Sequence, residues 1–198
     1  MSNGREPRAA DRRPRLYRLM IMLAAVILLI DQASKEWAIS ALTGREPVAL
    51  IPDLIQLRLL YNPGAAFSIG TGATWVFALA TAVVVAGTLY VGRRSRSAAW
   101  SVVLGGLLGG AASHLIDRFF RDPGFGRGHV VDFIDYGPFV GNVADIALTL
   151  SCAALMLLNV RGVPLGEPAG EDGDDKEDRG KEGKDEPEPA PSLPADQD

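Results

Sequence analysis

Three aspartates, Asp132, Asp135 and Asp145, stand in the stretch GHVVDFIDYGPFVGNVADIALTL (residues 128–150), beside the start of a long apolar run. Carboxylates at the edge of lipid are costly, and those that persist usually face a bundle interior and mark function. Asn142 and Asp145 lie at i and i+3, so on a helix both point the same way. Asp132 comes shortly before, after the apolar pair Val130-Val131. Two carboxylates held close cannot both ionise easily, so one keeps its proton. The ionised one can take a proton from water as it attacks a carbonyl, while the protonated one polarises that carbonyl. Such an aspartyl dyad requires no metal, serine or cysteine. The same acids also suit a proton or cation path, and spacing alone does not choose. Asp135, three residues after Asp132, could equally serve as the partner of Asp145.

Other polar residues cluster in short motifs. DQASK (31–35) places Asp31 and Lys35 at i and i+4 on one helical face, enough for a local ion pair. YNPGAAFSIG (61–70) offers Asn62 at a turn, followed by Gly64, Ala65 and Ala66. In that segment Asn62 can donate hydrogen bonds while the small residues leave room for an extended peptide; an ordinary turn also accounts for it. In GGLLGGAASHLIDR (105–118), Gly105/Gly109 and Gly106/Gly110 repeat at four-residue spacing, which lets membrane helices approach closely. Asp117-Arg118 fits a paired charge at an interface. His114, one turn earlier, fits a hydrogen-bonded structural histidine better than a catalytic one.

Apolar blocks must position these groups. Residues 72–92 hold no charge over 21 positions, and 97–116 form a second such run interrupted only by His114. Residues 16–30 and 146–160 are shorter, and each adjoins an aspartate. About 20 mostly apolar residues cross roughly 30 Å of hydrocarbon, so the middle blocks span outright and the outer two do so with their aspartates included. The expected fold is mainly α, an integral membrane protein of four transmembrane helices. Between them, Ile55, Leu57, Leu59 and Tyr61 alternate with Gln56, Arg58 and Leu60, the pattern of a short strand closed by the Pro63-Gly64 turn. A small extracytoplasmic β element with loops therefore rests on the bundle.

Charge sets the orientation. Six arginines from Arg5 to Arg18 precede the first span, like the basic region of a signal peptide, but three further spans follow and the segment is expected to be retained. Arg93, Arg94 and Arg96 fill the loop between the second and third spans. Positive residues favour the cytoplasm, so both termini are expected there and the loops at about 42–71 and 118–138 outside. Helix rise then places Asp31 and Asp145 each roughly 22 Å from the cytoplasmic end of its span, and Asp117 at about 30 Å. Three helices thus bring an acid to the outer edge of the bilayer.

From Val163 onward the chain holds 13 acidic and four basic side chains, a net −9 within a whole-chain charge of −4. This Pro- and Gly-rich tail has too little aliphatic content to bury and is expected to be disordered, with no catalytic role. The expected divisions are a basic segment 1–15, a membrane domain 16–162 and the tail 163–198. Cys152 is the only cysteine and lies in the last span, so no intramolecular disulfide forms, and without a CxxC or a His/Cys cluster zinc is not expected.

Taken together, DQASK, NPGAAFS, the GG…DR segment, VVDF and NVAD resemble, in order and topology, the lipoprotein signal peptidase (signal peptidase II) family over residues 16–160. One short motif would mean little; five in order are specific. The resemblance implies a membrane aspartyl protease of the bacterial cytoplasmic (inner) membrane, cutting the signal peptide from prolipoproteins before a diacylglyceryl-modified cysteine. It implies Asp132 and Asp145 as the catalytic pair, the VVDF match choosing Asp132 over Asp135. Asp31, Lys35, Asn62, Gly64, Ala66, His114, Asp117, Arg118, Asn142 and Ala144 would form the supporting shell. The implied partners are lipid-modified prolipoproteins and membrane lipid, with no cofactor, no metal and no nucleic acid, and the enzyme is expected to be a monomer. In three places the chain departs from the family pattern. Ser113-His114 stand where the family usually has Gly-Asn, Gly141 where it has phenylalanine, and the linker from Arg118 to Asp132 is long. The rival reading is a small proton-coupled transporter or channel subunit that uses the buried aspartates as a relay. The position of the acids at the outer edge rather than the midplane argues against it.

Overall fold

The computed structural model describes residues 9–64 and 74–166, with side chains from residue 14 onward. Ala65 and Ala66 of the NPGAAFS motif, the first arginines and residues 167–198 lie outside the described residues.

Among the described residues, four helices are long and apolar enough to cross a membrane: α1 (Ala9–Leu42), α2 (Thr74–Gly92), α3 (Ala98–Phe120) and α4 (Val143–Val160). They match the four apolar blocks, with α1, α3 and α4 running on past one or both ends. α1 has 34 residues, about 51 Å at 1.5 Å per residue, because the helix-forming DQASKEWAISAL segment continues past Asp31 and Ala9–Arg13 extends it backwards. Large apolar side chains on the outer faces are exposed, among them Met22 and Leu29 on α1, Val83 on α2 and Met156 on α4. In water that would be unfavourable; in hydrocarbon it is the expected surface.

α3 is the central helix, in contact with α1, α2 and α4. Its glycines explain how. A Cβ on Gly109 would lie 2.7 Å from the Ala24 carbonyl oxygen of α1, and one on Gly110 would lie 2.9 Å from that of Ala144 on α4. Gly105 faces α1 and Gly106 faces α4 in the same way. The two four-residue repeats are therefore two adjacent stripes, each admitting a different neighbour to backbone contact.

The outer segments are more ordered than loops. Strands β1 (Val48–Ile51), β2 (Ile55–Asn62), β3 (Val130–Asp135) and β4 (Val140–Gly141) form one antiparallel sheet in that order. The segment expected as a loop at 118–138 contains the last turn of α3 and the whole of β3. Sequence had shown β2 alone, because β3 is buried on both faces and lacks a polar alternation. β3 pairs with β2 through Leu60↔Asp132 and Asn62↔Val130, with a register irregularity between Leu57 and Leu60. Alternation along the strand sends Phe133 against Ala38 and Leu42 of α1. Asp132 and Val130 face the other way, into a cavity.

Candidate active site

The site begins with the start of α4. Asn142 is its N-cap and Asp145 its third residue, and the two form a capping box. Asn142 Oδ1 accepts from the Asp145 backbone N–H at 3.0 Å, and Asp145 Oδ2 accepts from the Asn142 N–H at 3.0 Å. This arrangement satisfies donors that a helix terminus would otherwise leave open. It also turns both side chains to the mouth of the helix, where the i, i+3 spacing had placed them.

β3 brings Asp132 to the same place. The residue is 2% exposed and its carboxylate is held by two amides: Asn142 Nδ2 donates to Oδ1 at 2.6 Å and Asn62 Nδ2 donates to Oδ2 at 3.0 Å. Burial first, and then the charge of Asp145, push the Asp132 carboxyl up to about 7; the two amide donors favour its ionised form and oppose that rise. Asp145 differs in setting, its side chain being 37% exposed. Both carboxylates line a cavity of about 430 Å³. Apolar Phe77, Phe139, Val140 and Leu148 form much of its wall, and Asn62, Gly64, His114, Arg118, Thr81 and Thr149 supply polar edges.

Asp135 is excluded from this cavity by strand alternation. Its carboxylate pairs with Arg58 at 3.1 Å on the other face of the sheet and accepts from the Gly137 N–H at 2.8 Å. The choice between Asp132 and Asp135, open on spacing alone, is thus a matter of which face each occupies.

Asp31, Lys35 and Asp117 lie behind the cavity wall, all three fully buried. Lys35 Nζ lies 2.5 Å from Asp31 Oδ2 and 2.7 Å from Asp117 Oδ2. The i, i+4 pair therefore supplies two members of a three-residue cluster joining α1 to α3. Asp31 Oδ1 accepts from the Ala144 N–H at 2.8 Å, so α1 fixes the first turn of α4. Ser113 Oγ donates to Asp31 Oδ2 at 2.6 Å.

Asp117 and Arg118 are not paired with each other. Asp117 Oδ1 accepts from Arg121 Nε at 2.7 Å and Gln32 Nε2 at 3.0 Å. The Arg118 guanidinium donates to the carbonyls of Asn62, Pro63, Gly64 and Gly128. It clamps the end of β2, and with it Asn62, against the start of β3. Gly64 turns back, its N–H donating to Asn62 Oδ1 at 2.9 Å, and this fixes the direction of the Asn62 amide.

Several contributors were not among the residues singled out from the sequence. Gln32 and Arg121 extend the charge cluster at the α1–α3 seam, and Glu36 pairs with Arg121 at its exposed edge. The adjacency of Gln32 to Asp31 and the Asp117/Arg121 spacing were the available clues. Leu148 and Thr149, one turn after Asp145, followed from helical period alone. Among the described residues no group of three His, Cys, Asp or Glu side chains is placed to hold a metal ion.

Comparison with known proteins identifies the family. The family model for signal peptidase (SPase) II matches residues 23–161. The chain is 45% identical over 153 residues to the lipoprotein signal peptidase of Mycobacterium avium, covering 77% of this chain and 84% of that one. It is 41% identical over 149 residues to the lipoprotein signal peptidase of Leifsonia xyli, covering 74% and 69%. A solved bacterial membrane enzyme shares the fold at TM-score 0.63 and 24% identity, over 75% of this chain and 93% of that chain. The family match takes in α1 from residue 23, the whole of α2, α3 and α4, and both acids of the cavity. This multi-pass membrane protein belongs to the signal peptidase II family of peptidases.

Proposed function

We propose that the chain removes signal peptides from diacylglyceryl-modified prolipoproteins, with Asp132 and Asp145 activating water for attack on the bond before the lipidated cysteine. The observation that carries the reading is the pair of carboxylates, one from β3 and one from α4, bordering one cavity and tied through Asn142. Family membership supports the substrate class.

The roles follow from the surroundings. Asp132, buried and held near neutrality, is the protonated partner that polarises the scissile carbonyl. Asp145, more open to the cavity, is the ionised partner that takes the proton from water. As the tetrahedral intermediate collapses, a proton returns to the leaving amine, and the dyad ends with one proton as it began. Asn62, Asn142 and His114 hold the carboxylates. Arg118 and Gly64 shape the β2 end, with Ala66 following it in sequence. Asp31, Lys35, Asp117 and Ala144 anchor the start of α4. The apolar wall of Phe77, Phe139 and Leu148 suits the signal helix and its acyl chains.

The arginines of the N-terminal segment and of the α2–α3 loop support an orientation with both termini in the cytoplasm and the cavity toward the outer face of the inner membrane. The working unit is one copy of the chain. Its catalytic domain is residues 16–162, and the acidic segment 163–198 takes no part in cleavage.

The test is purified protein in detergent with a lipidated and an unlipidated substrate peptide. Cleavage of the lipidated peptide alone, lost in Asp132→Asn and in Asp145→Asn, is the expected result. Substantial cleavage by either pure variant would refute the dyad. pH-dependent flux in vesicles without peptide cleavage would favour a transporter.

A further inference from the structure

The turn between β3 and β4 carries a ring to the edge of the cavity. Tyr136 and Phe139 flank Gly137-Pro138, and the Tyr136 N–H donates to the Phe139 carbonyl at 2.9 Å. Gly137 takes the positive φ of 87° that so tight a reversal needs. Its N–H is held by Asp135 Oδ1, and Asp135 is itself paired with Arg58 of β2, so the base of the turn is fixed to the sheet. The rings of Tyr136 and Phe139 are stacked, their centres 4.8 Å apart and their planes 29° from parallel. Phe139 lines the cavity together with Asp132 and Asp145, and at 42% exposure it presents the ring to whatever enters. Phe77 and Leu148, two other apolar walls, belong to membrane helices; Phe139 is the phenyl ring brought by the sheet.

Gly141 decides what that ring can reach. Residues 139 and 141 are two apart along extended chain and share a face. A Cβ on Gly141 would lie 3.5 Å from Phe139 Cε2 and 3.0 Å from Asp145 Oδ2. The Phe139 ring therefore borders the ground that a side chain at 141 would occupy, next to the Asp145 carboxylate. A phenylalanine at 141, usual in the family, would compete with it for that ground; this chain carries its aromatic two residues earlier, on the turn.

We infer that Phe139 is a specificity-determining residue: its ring, standing where Gly141 leaves room, limits the size of the substrate side chain that precedes the scissile bond. The inference deepens the peptidase reading and rests on it. Under that reading the residue after the bond is a lipid-modified cysteine, so the side chain free to vary at the bond belongs to the residue before it. The attacked carbonyl is part of that same residue, whose Cα is bonded directly to the reacting carbon. Its side chain must therefore sit close to the two carboxylates, and the Phe139 ring stands beside one of them. Residue 141 has no side chain with which to refill the space if the ring is removed.

The experiment compares wild type, Phe139→Leu and Phe139→Ala, each purified in detergent, on two lipidated peptides. The peptides are identical except for alanine or leucine immediately before the modified cysteine. The quantity read is the ratio of kcat/KM for the alanine peptide to that for the leucine peptide, in which any general loss of activity cancels. Phe139→Ala should lower this ratio by about tenfold or more, the scale on which a pocket discriminates a few methylene groups. The change should come from faster cleavage of the leucine peptide, with Phe139→Leu falling between the other two proteins. A ring that only stabilised the turn would slow both peptides together. A ratio within about twofold of wild type in folded Phe139→Ala would overturn the inference and leave the peptidase reading standing. Should Phe139→Ala fail to fold, the ratio for Phe139→Leu decides in the same way. A wild-type protein that cleaves neither peptide overturns both.

Discussion

Asn142 joins α4 to β3 through Asp132, its amide nitrogen 2.6 Å from Oδ1. The same side chain caps α4 and receives the Asp145 N–H. One residue thus sets the helix start and the placement of both acids, so the dyad geometry depends on where α4 begins. That starting point is fixed from outside the helix, by Asp31 of α1 holding the Ala144 N–H.

Asn62→Ala should move the alkaline limb of kcat/KM upward. The Asn62 amide donates to Asp132 Oδ2 and favours the ionised carboxylate. In the proposed mechanism the protonated form is the active one, so activity should fall as pH rises through about 7. Removing the donor keeps the proton on to higher pH, by about one unit. The pH profile of the variant on a lipidated peptide checks it.

Asp132→Asn should abolish cleavage yet gain stability relative to wild type as pH rises. The folded-state value, about 7, lies above that of an unfolded aspartate. The native state therefore binds the proton more tightly, and wild type loses stability as pH climbs from about 4 to about 7. Asparagine carries no such dependence. Melting temperatures in detergent at pH 5 and pH 8 should show the difference between variant and wild type growing toward pH 8.

Lys35→Met should be among the most damaging single changes. It leaves the carboxylates of Asp31 and Asp117, both fully buried, without their shared cation. Breaking a buried pair in this way costs about 3–5 kcal/mol. Because Asp31 also holds the first turn of α4, peptidase activity should fall in the molecules that remain folded. Thermal unfolding together with specific activity separates the two effects.

Gly109→Leu and Gly87→Ala make a contrasting pair. A Cβ at Gly109 would sit 2.7 Å from the Ala24 carbonyl oxygen, whereas one at Gly87 meets nothing within 4 Å. The first should separate α1 from α3 and cost about 1–3 kcal/mol or more as an overpacked seam. The second should be neutral or stabilising by up to about 1 kcal/mol through helix propensity. Melting temperatures measured in one detergent compare them directly.

The sequence by itself determined the four spans, because charge-free runs of that length have few other fates. It also marked Asn142 and Asp145 as sharing one helical face, since i, i+3 spacing is a local property. β2 was readable from its alternation; β3 was not, because strand VVDFID is buried nearly throughout and shows no polar period. That is why Asp132 and Asp135 could not be told apart by spacing. Only pairing with β2 turns Asp132 toward Asn62 and Asp135 toward Arg58. The Asp31–Lys35–Asp117 cluster and the Arg118 clamp were likewise decided by tertiary structure. Lys35 meets Asp117 across 82 residues and Arg118 meets Asn62 and Gly64 across 56 and 54; the glycine repeats announce close helix packing, but not which side chains that packing brings together.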